Sequence, residues 1–229
     1  EIDDEVTVSP SASLGELPRW IGEDIPVPFS VAQEASQRLA DGNWAGLPIT
    51  REALDVLQSY HESIADAGVM PSPECLTVEQ HERLFILNYP GGSRLNRTIG
   101  MIVTAMLTAK SGYKIGFQFD PYRIILDVPA RTTVKDLLAI LKGFVPEVSS
   151  LLRFAIKDSP SLKPQLLHSA RKMGAIAPDA DIGKFGMKKL MEAYSDTPLY
   201  TEAVERFLFH QLDENGMEKF IHQINSGEI

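Results

Sequence analysis

The chain has 229 residues, of which 44% are hydrophobic, and this proportion predicts a folded core rather than a disordered chain. Its single cysteine, Cys75, excludes an internal disulfide and a multi-cysteine zinc site, and predicts a reducing cytoplasm as the location. The longest apolar run, around Ile99 to Ala109, is too short to span a bilayer, so we expect no membrane partner. The sequence opens at Glu1 without an initiator methionine, so we expect it to come from a longer chain.

The formal net charge of -9 is distributed unevenly along the chain. Residues 1–82 hold 3 basic and 16 acidic side chains, whereas residues 83–150 hold 9 basic and 4 acidic ones. Residues 151–190 are also basic, with 8 basic and 3 acidic side chains, and residues 191–229 are acidic again. Because nucleic-acid binding depends on local patches and not on total charge, the basic middle remains compatible with a nucleic-acid partner.

The first third is predicted to begin with a short strand, Val6–Ser9, followed by a proline-rich irregular stretch up to Pro28. Residues Ser30–Gln33 have the spacing of a capping box, which predicts a helix to about Leu39, closed by Gly42. A second helix is predicted to start after a Thr50 cap and to end at Gly68 and Pro71. One face of this second helix is apolar, with Ala53, Leu57, Tyr60 and Ile64.

The middle of the chain is predicted to mix strands and helices. Arg83–Tyr89 has strand composition, and after a Pro-Gly-Gly breaker Asn96–Ala109 reads as a helix that is apolar nearly all round and therefore buried. Two further strands, Tyr113–Phe119 and Tyr122–Val128, are bent at Asp120-Pro121. Residues Thr133–Asp136 then predict another capped helix.

From Val145 onward the sequence shows only helical periodicity with short polar breaks. The predicted helices run through Leu151–Ile156, Leu162–Met173 and Met187–Tyr194, and two more follow Thr201. We therefore expect an α+β fold with a small, mainly antiparallel sheet packed with helices over residues 1–145. An all-helical subdomain is expected to follow over residues 146–229.

Catalytic motifs are missing from the sequence. No GxxxxGK[ST] pattern occurs, because Gly183–Gly186 lacks both the upstream glycine and the hydroxyl that would hold magnesium. The five histidines show no metal-ligand spacing. We therefore expect neither ATP hydrolysis nor a bound metal or other cofactor in this chain by itself.

Four features could bind a nucleic acid, and each has a structural alternative. Gly91-Gly92 with Arg94 and Arg97 could hold a phosphate at a helix N-terminus, or could form a plain strand-to-helix turn with both arginines paired to acidic neighbours. Trp20, beside Arg19 in a proline-stiffened loop, could stack on an unpaired base or could be a core residue.

The other two features lie further along the chain. Residues Lys163–Lys172 place His168, Arg171 and Lys172 on one predicted helix, which could line a strand channel or could simply be a solvated surface. Asp120–Arg123 most simply forms a turn between strands, with Arg123 tied to a carboxylate.

Several segments together resemble the DEAD/H-associated domain of the large helicase-related (Lhr) family, in its archaeal type. The similar segments are Gly15–Phe29, Val31–Glu34, Asn96–Gly100, Asp120–Arg123, His168, Ala170, Arg171, Gly174, Glu192–Tyr194, Thr197-Pro198 and Tyr200. They span nearly the whole chain. Two positions depart from the family pattern: Met173 replaces a usual aromatic residue, and Arg94 a frequent lysine.

This resemblance implies a non-catalytic part of an ATP-dependent superfamily-two DNA helicase that contacts single-stranded DNA. Two RecA-like motor domains and a winged helix would precede Glu1, and the motor would bind ATP and magnesium. Trp20 is then the expected base-stacking residue. The full set of expected nucleic-acid contacts is Arg19, Trp20, Arg94, Asn96, Arg97, Arg123, His168, Arg171 and Lys172.

A rival interpretation makes the chain a protein-interaction or structural module that packs on the motor without touching DNA. In that case the acidic first third would dock a partner, and the basic middle would lie against the motor. A nucleotide-modifying enzyme is a third possibility, but it needs a cluster of acid, base or nucleophile that the sequence does not show. DNA could also be replaced by RNA or by a hybrid, because nothing in the residues separates these strands.

Overall fold

A computed structural model describes residues 25–143, 147–157, 159, 161–177, 180 and 187–229, with the side chains of residues 187–190 left out. The predicted strand Val6–Ser9 lies outside these residues. The described residues contain four strands in one sheet together with helices before, between and after them, which confirms the expected α+β fold. None of the helices in this part of the chain is long and apolar enough to cross a membrane.

The sheet is antiparallel throughout, with strand order β1-β2-β4-β3. The strands are β1 (Thr77–His81), β2 (Leu84–Asn88), β3 (Gly116–Phe119) and β4 (Arg123–Asp127). Side chains alternate between the two faces of a sheet, so Phe85, Leu87, Ile124 and Leu126 share one face, where all four are buried. Strand β1 is absent from the sequence prediction; the other three lie inside the predicted runs.

Helix α3 (Gly92–Ser111) is the centre of the fold, and twelve of its residues are buried. It packs against β3 and β4 and against several other helices, as the apolar periodicity predicts. Gly100 faces the sheet so closely that a Cβ atom there would lie 2.5 Å from the Phe117 ring. The helix begins four residues before the predicted start because the Gly91-Gly92 segment turns directly into it.

Helices α1 (Phe29–Asp41) and α2 (Arg51–Ala67) precede the sheet. The predicted capping box at Ser30 is wrong, because Pro28 is the N-cap and Gln33 instead donates a hydrogen bond to the Pro90 carbonyl at 2.8 Å. The predicted Thr50 cap is confirmed by a hydrogen bond that its hydroxyl accepts from the Ala53 amide. Gly42 ends α1 in the left-handed conformation that glycine favours.

The remaining helices are α4 (Val134–Lys142), α5 (Val148–Lys157), α6 (Leu162–Lys172), α7 (Met187–Tyr194), α8 (Pro198–Gln211) and α9 (Glu214–Ser226). The capping box Thr133–Asp136 of α4 is present as predicted. Helices α5 and α9 pack on α3, and α6 packs on α8. Buried residues of the sheet and of these helices form one hydrophobic cluster. The predicted division near residue 145 stays a prediction.

Candidate nucleic-acid interface

The N-terminus of α3, where the sequence allowed a phosphate site, is bonded to other parts of the protein. The Gly92 amide donates to the Pro121 carbonyl at 2.9 Å, and the Ser93 amide donates to the Val27 carbonyl at 3.0 Å. Gly92 has a φ of 72°, and a Cβ atom there would lie 2.7 Å from the same Val27 oxygen. These amides are therefore not directed at a ligand, and the segment has the structure of a plain strand-to-helix turn.

Asn96 joins two turns from inside the protein. Its side-chain amide donates to the Tyr89 carbonyl and to the Asp120 carbonyl, both at 2.9 Å, and the residue has no exposed surface. The first acceptor lies just after β2 and the second lies between β3 and β4. Asn96 thus connects two neighbouring turns at one end of the sheet to α3, and its side chain presents no surface to a DNA strand.

Arg97 is only 3% exposed and lies between two aromatic rings. Its guanidinium carbon is 5.2 Å from the centre of the Phe207 ring and 5.7 Å from that of Phe119, and Nη1 donates to the Gln211 side chain at 2.9 Å. Both ring distances fall within the range of a cation–π interaction. Arg97 therefore ties the sheet to α8 through α3.

Arg94 is exposed, but its guanidinium donates to the Phe209 and Leu212 carbonyls at the end of α8. A cation at this position satisfies carbonyls that a helix leaves unpaired and suits the negative end of the helix dipole. Thr98 accepts a hydrogen bond from the Asp213 amide at 2.9 Å. We call Arg94–Gly100 the α3 junction, because these residues hold α3, the sheet and the α8–α9 connection together.

Arg123 lies at the start of β4, as the turn prediction expected, and is tied to a carboxylate. Its Nε donates to Asp120 at 2.6 Å, and the Asp120 carboxylate also accepts the Tyr122 and Arg123 amides. This hydrogen bond and the charge of Asp120 raise the pKa of Arg123 above its ordinary value. The guanidinium is still largely exposed, with 57% of the side-chain surface accessible.

Helix α6 presents the clearest cationic surface of the described residues. His168, Arg171 and Lys172 are all exposed and lie three to four positions apart, which places them on one side of the helix. The opposite side, with Leu162, Leu166, Ser169 and Ala170, is buried. No acidic residue occurs in α6. We call Arg171 and Lys172, together with the adjacent exposed His168, the α6 cationic face.

The side chains of Arg171 and Lys172 make no hydrogen bond or ion pair within the part of the chain that the structure describes. They are therefore available to a phosphate in a way that Arg97 is not. Both residues lie in the last turn of α6, where a positive charge interacts favourably with the helix dipole. Helix stability is therefore a second reason for basic residues at these positions.

The sequence did not single out Phe209. Its ring is 74% exposed and lies edge-on to His210 at 5.0 Å, next to the carbonyl that Arg94 binds. Helix α8 is apolar along much of its length, so no sequence signal distinguishes this outward aromatic residue from the buried Phe207. Unpaired bases stack on exposed aromatic side chains of this kind.

Arg19 and Trp20 lie outside the described residues, so their predicted contacts stay predictions. Within residues 25–229 as described, no group of three or more His, Cys, Asp or Glu side chains could hold a metal ion.

By fold and surface, the described residues form an α+β module built around one buried helix, with a cationic helix surface suited to a polyanion. The model of the family described as DEAD/H associated matches residues 70–229. The chain belongs to this family, which confirms the domain that the motifs predict.

A solved structure of the Mycobacterium smegmatis helicase Lhr, bound to ssDNA and AMP-PNP, is similar with a TM-score of 0.68 and 18% sequence identity. The match covers 94% of this chain and 31% of that helicase, so the chain spans less than a third of its length. At this identity the likeness shows a shared fold. No curated protein matches the sequence significantly.

Proposed function

We propose that this chain is an accessory domain of an ATP-dependent superfamily-two DNA helicase, and that it contacts and guides single-stranded DNA beside the motor. The observation that carries the proposal is the α6 cationic face, which is exposed and free of acidic neighbours on its own helix. Membership of the DEAD/H associated family and a fold shared with a helicase bound to ssDNA support the same role.

The α6 cationic face suits a phosphate backbone for a physical reason. Each lysine or arginine that neutralises a phosphate releases condensed counterions, so binding is favoured by entropy and weakens as salt rises. Such contacts position a strand but do not read its sequence. Phe209 could add stacking on a base. The exposed Arg94 and Arg123 could add further positive charge. Arg19 and Trp20 are predicted contacts outside the described residues.

In this account the chain supplies no chemical step. ATP and magnesium are bound by the RecA-like domains of the parent protein, which the resemblance places before Glu1 together with a winged helix. The accessory domain holds the strand while the motor moves, so that each ATP-driven step is converted into displacement along the strand. The preference for DNA over RNA or a hybrid and the cytoplasmic location stay predictions.

The proposal is tested by fluorescence-anisotropy titration of a labelled oligo(dT) with the chain at several salt concentrations. We expect binding that weakens with salt, and a double variant, Arg171→Ala with Lys172→Ala, whose slope of log K against log salt is shallower by about 1.4 on this single strand. The matched control is Arg131→Ala with Lys135→Ala, because it removes the same charge from exposed residues outside α6. The control should keep nearly the wild-type affinity.

Equal losses in the two double variants would mean that only total charge matters, and would remove the α6 cationic face from the proposal. Absence of binding even at low salt would favour the rival interpretation, in which the domain packs on the motor and does not bind DNA itself.

A further inference from the structure

A groove of about 560 Å³ lies between α1, α2 and the turns at one end of the sheet. Val31 and Leu39 of α1 form one wall, and Leu57, Tyr60 and Ile64 of α2 form the other. The sequence predicted the apolar face of α2 but not what it faces. The volume lies within the range of pockets that bind a ligand or a few side chains of a partner.

The two helical walls are joined at their far side. The His61 ring lies with Nδ1 2.6 Å from the Leu39 carbonyl, which links α2 to the end of α1. On the sheet side, Gln33 holds α1 to the Pro90 carbonyl. These two hydrogen bonds connect α2 to α1 and α1 to the turn after β2.

The charged groups that line the groove neutralise each other. Glu34 pairs with Arg38 at 3.0 Å, and Asp120 pairs with Arg123 at 2.6 Å. What remains accessible in the lining is apolar and aromatic, with Tyr60 54% exposed. An occupant of the groove would therefore bind by burying apolar side chains and would not need an opposite charge there.

The helices that form the groove bury few of their side chains. No residue of α2 is buried, so its apolar face contributes little to the core. Of the thirteen large apolar side chains that are exposed in the described residues, seven lie in the region of α1 and α2. These seven are Ile25, Phe29, Val31, Ile49, Val56, Tyr60 and Val69. Two of them, Val31 and Tyr60, line the groove from opposite walls, so an occupant of the groove would cover both.

Charge decides which kind of occupant fits. Described residues 25–82 carry nine acidic and two basic side chains, so the region that contains the groove has a net negative charge. This field repels a phosphate backbone and attracts lysine and arginine. A nucleic acid is thus disfavoured here, in contrast to the α6 cationic face.

We propose that this groove binds an amphipathic helix of a protein partner, with two or three apolar anchor side chains in the groove and lysine or arginine on its remaining surface. The stretch from Leu57 to Ile64 is roughly 10 Å long, which matches two turns of a partner helix with anchors three, four and seven residues apart. This binding does not depend on whether the chain also binds DNA.

The probe is a fluorescein-labelled helical peptide of about 18 residues. It carries leucine at three anchor positions and lysine elsewhere; a matched peptide has glutamate in place of lysine. Anisotropy is measured with the chain and with two variants, Tyr60→Ser in the groove and Val56→Ser on the same helix. Val56 is 68% exposed and does not line the groove, so it is a matched loss of an exposed apolar side chain.

We expect the lysine peptide to bind and the glutamate peptide to bind much more weakly. Tyr60→Ser should weaken the lysine peptide by about tenfold or more, because an aromatic residue in such a groove is a typical hot spot, whereas Val56→Ser should change affinity less than about twofold. Val31→Ser on the opposite wall replaces Tyr60→Ser if circular dichroism shows that the latter unfolds.

Equal binding by wild type and the groove variant would overturn the proposal, since the peptide would then be held by charge alone. Failure of the lysine peptide to bind at low salt would also overturn it. If Tyr60→Ser weakens oligo(dT) and leaves the lysine peptide unchanged, the groove holds a nucleobase and the assignment to a protein partner is wrong.

Discussion

The α3 junction and the α6 cationic face both contain arginines in segments that resemble the same family, but they differ in their surroundings. Arg97 is buried between two rings and Arg94 is bonded to the end of α8, whereas Arg171 is exposed and makes no such contact within the described residues. Residues that match the family pattern can therefore be required for either of two reasons. One is the packing that a fold requires, and the other is a surface that a ligand requires.

The difference follows from the position of each helix. Helix α3 is enclosed by the sheet and by other helices, so any polar side chain near its start must find partners inside the protein. Helix α6 packs mainly against α8 through one side, which leaves its opposite side open to solvent. Arginine chemistry is the same in both places, and burial decides what it can bind.

The largest expected effect on stability comes from substituting Asn96. Asn96→Ala removes one buried and one partly buried hydrogen bond and leaves the Tyr89 and Asp120 carbonyls without their side-chain donor, which should lower the free energy of unfolding by about 2 to 4 kcal/mol. Urea denaturation measures the change. A loss below about 0.5 kcal/mol, the range of ordinary surface substitutions, would show that Asn96 does not hold the junction.

The next effect concerns the close approach of α3 to the sheet. Gly100→Ala should destabilise the protein by about 1 to 3 kcal/mol, because the added methyl group overlaps the Phe117 ring. Gly112→Ala is a steric control, since a Cβ atom there meets nothing within 4 Å, although its φ of 74° adds backbone strain. If replacing Phe117 by leucine does not restore part of the stability of Gly100→Ala, overlap with this ring is not the cause.

Stability should also depend on pH at high pH, through Tyr89, which is bonded to Asn96 of the α3 junction. Burial raises the pKa of Tyr89 to about 12, above its ordinary value of 10.0. Between these values the unfolded chain loses the phenolic proton before the folded chain does, so stability is full below pH 10 and falls toward pH 12. The expected loss at pH 11 is about 1 kcal/mol, and Tyr89→Phe should have a flatter profile over this window.

The smallest effect on stability is expected at the α6 cationic face. Arg171→Ala and Lys172→Ala should each change the free energy of unfolding by no more than about 0.5 to 1 kcal/mol, most of it from the helix dipole. Each should nevertheless make the slope of log K against log salt for oligo(dT) binding shallower by about 0.7. A large stability loss without a change in binding would make these residues structural and end the contrast with Arg97.

Local signals were readable from the sequence, and contacts between distant segments were not. The Thr50 and Thr133 caps were predicted because both partners of a cap lie within four residues. Strand β1 was missed because Thr77–His81 is half exposed and mostly polar, so only its pairing with β2 defines it. The spacing at Ser30 suggested a cap, but Gln33 bonds instead to Pro90, which is far away in sequence.

The same limit applies to the candidate site. The exposed side of α6 follows from helical periodicity, since Leu162, Leu166 and Ala170 occupy the other side. The burial of Arg97 does not, because it depends on Phe119 and Phe207 reaching the same place from distant elements. The groove between α1 and α2 likewise exists only once both helices and the turns of the sheet are assembled.

The most direct test of this account compares Arg97→Ala with Arg171→Ala for unfolding free energy and for oligo(dT) affinity under native conditions. The account predicts that Arg97→Ala loses about 2 to 3 kcal/mol of stability, while its folded fraction keeps the wild-type affinity. Arg171→Ala should keep its stability and lose affinity. If Arg97→Ala is stable and binds weakly while Arg171→Ala binds normally, the assignment of the two regions is reversed and the account is contradicted.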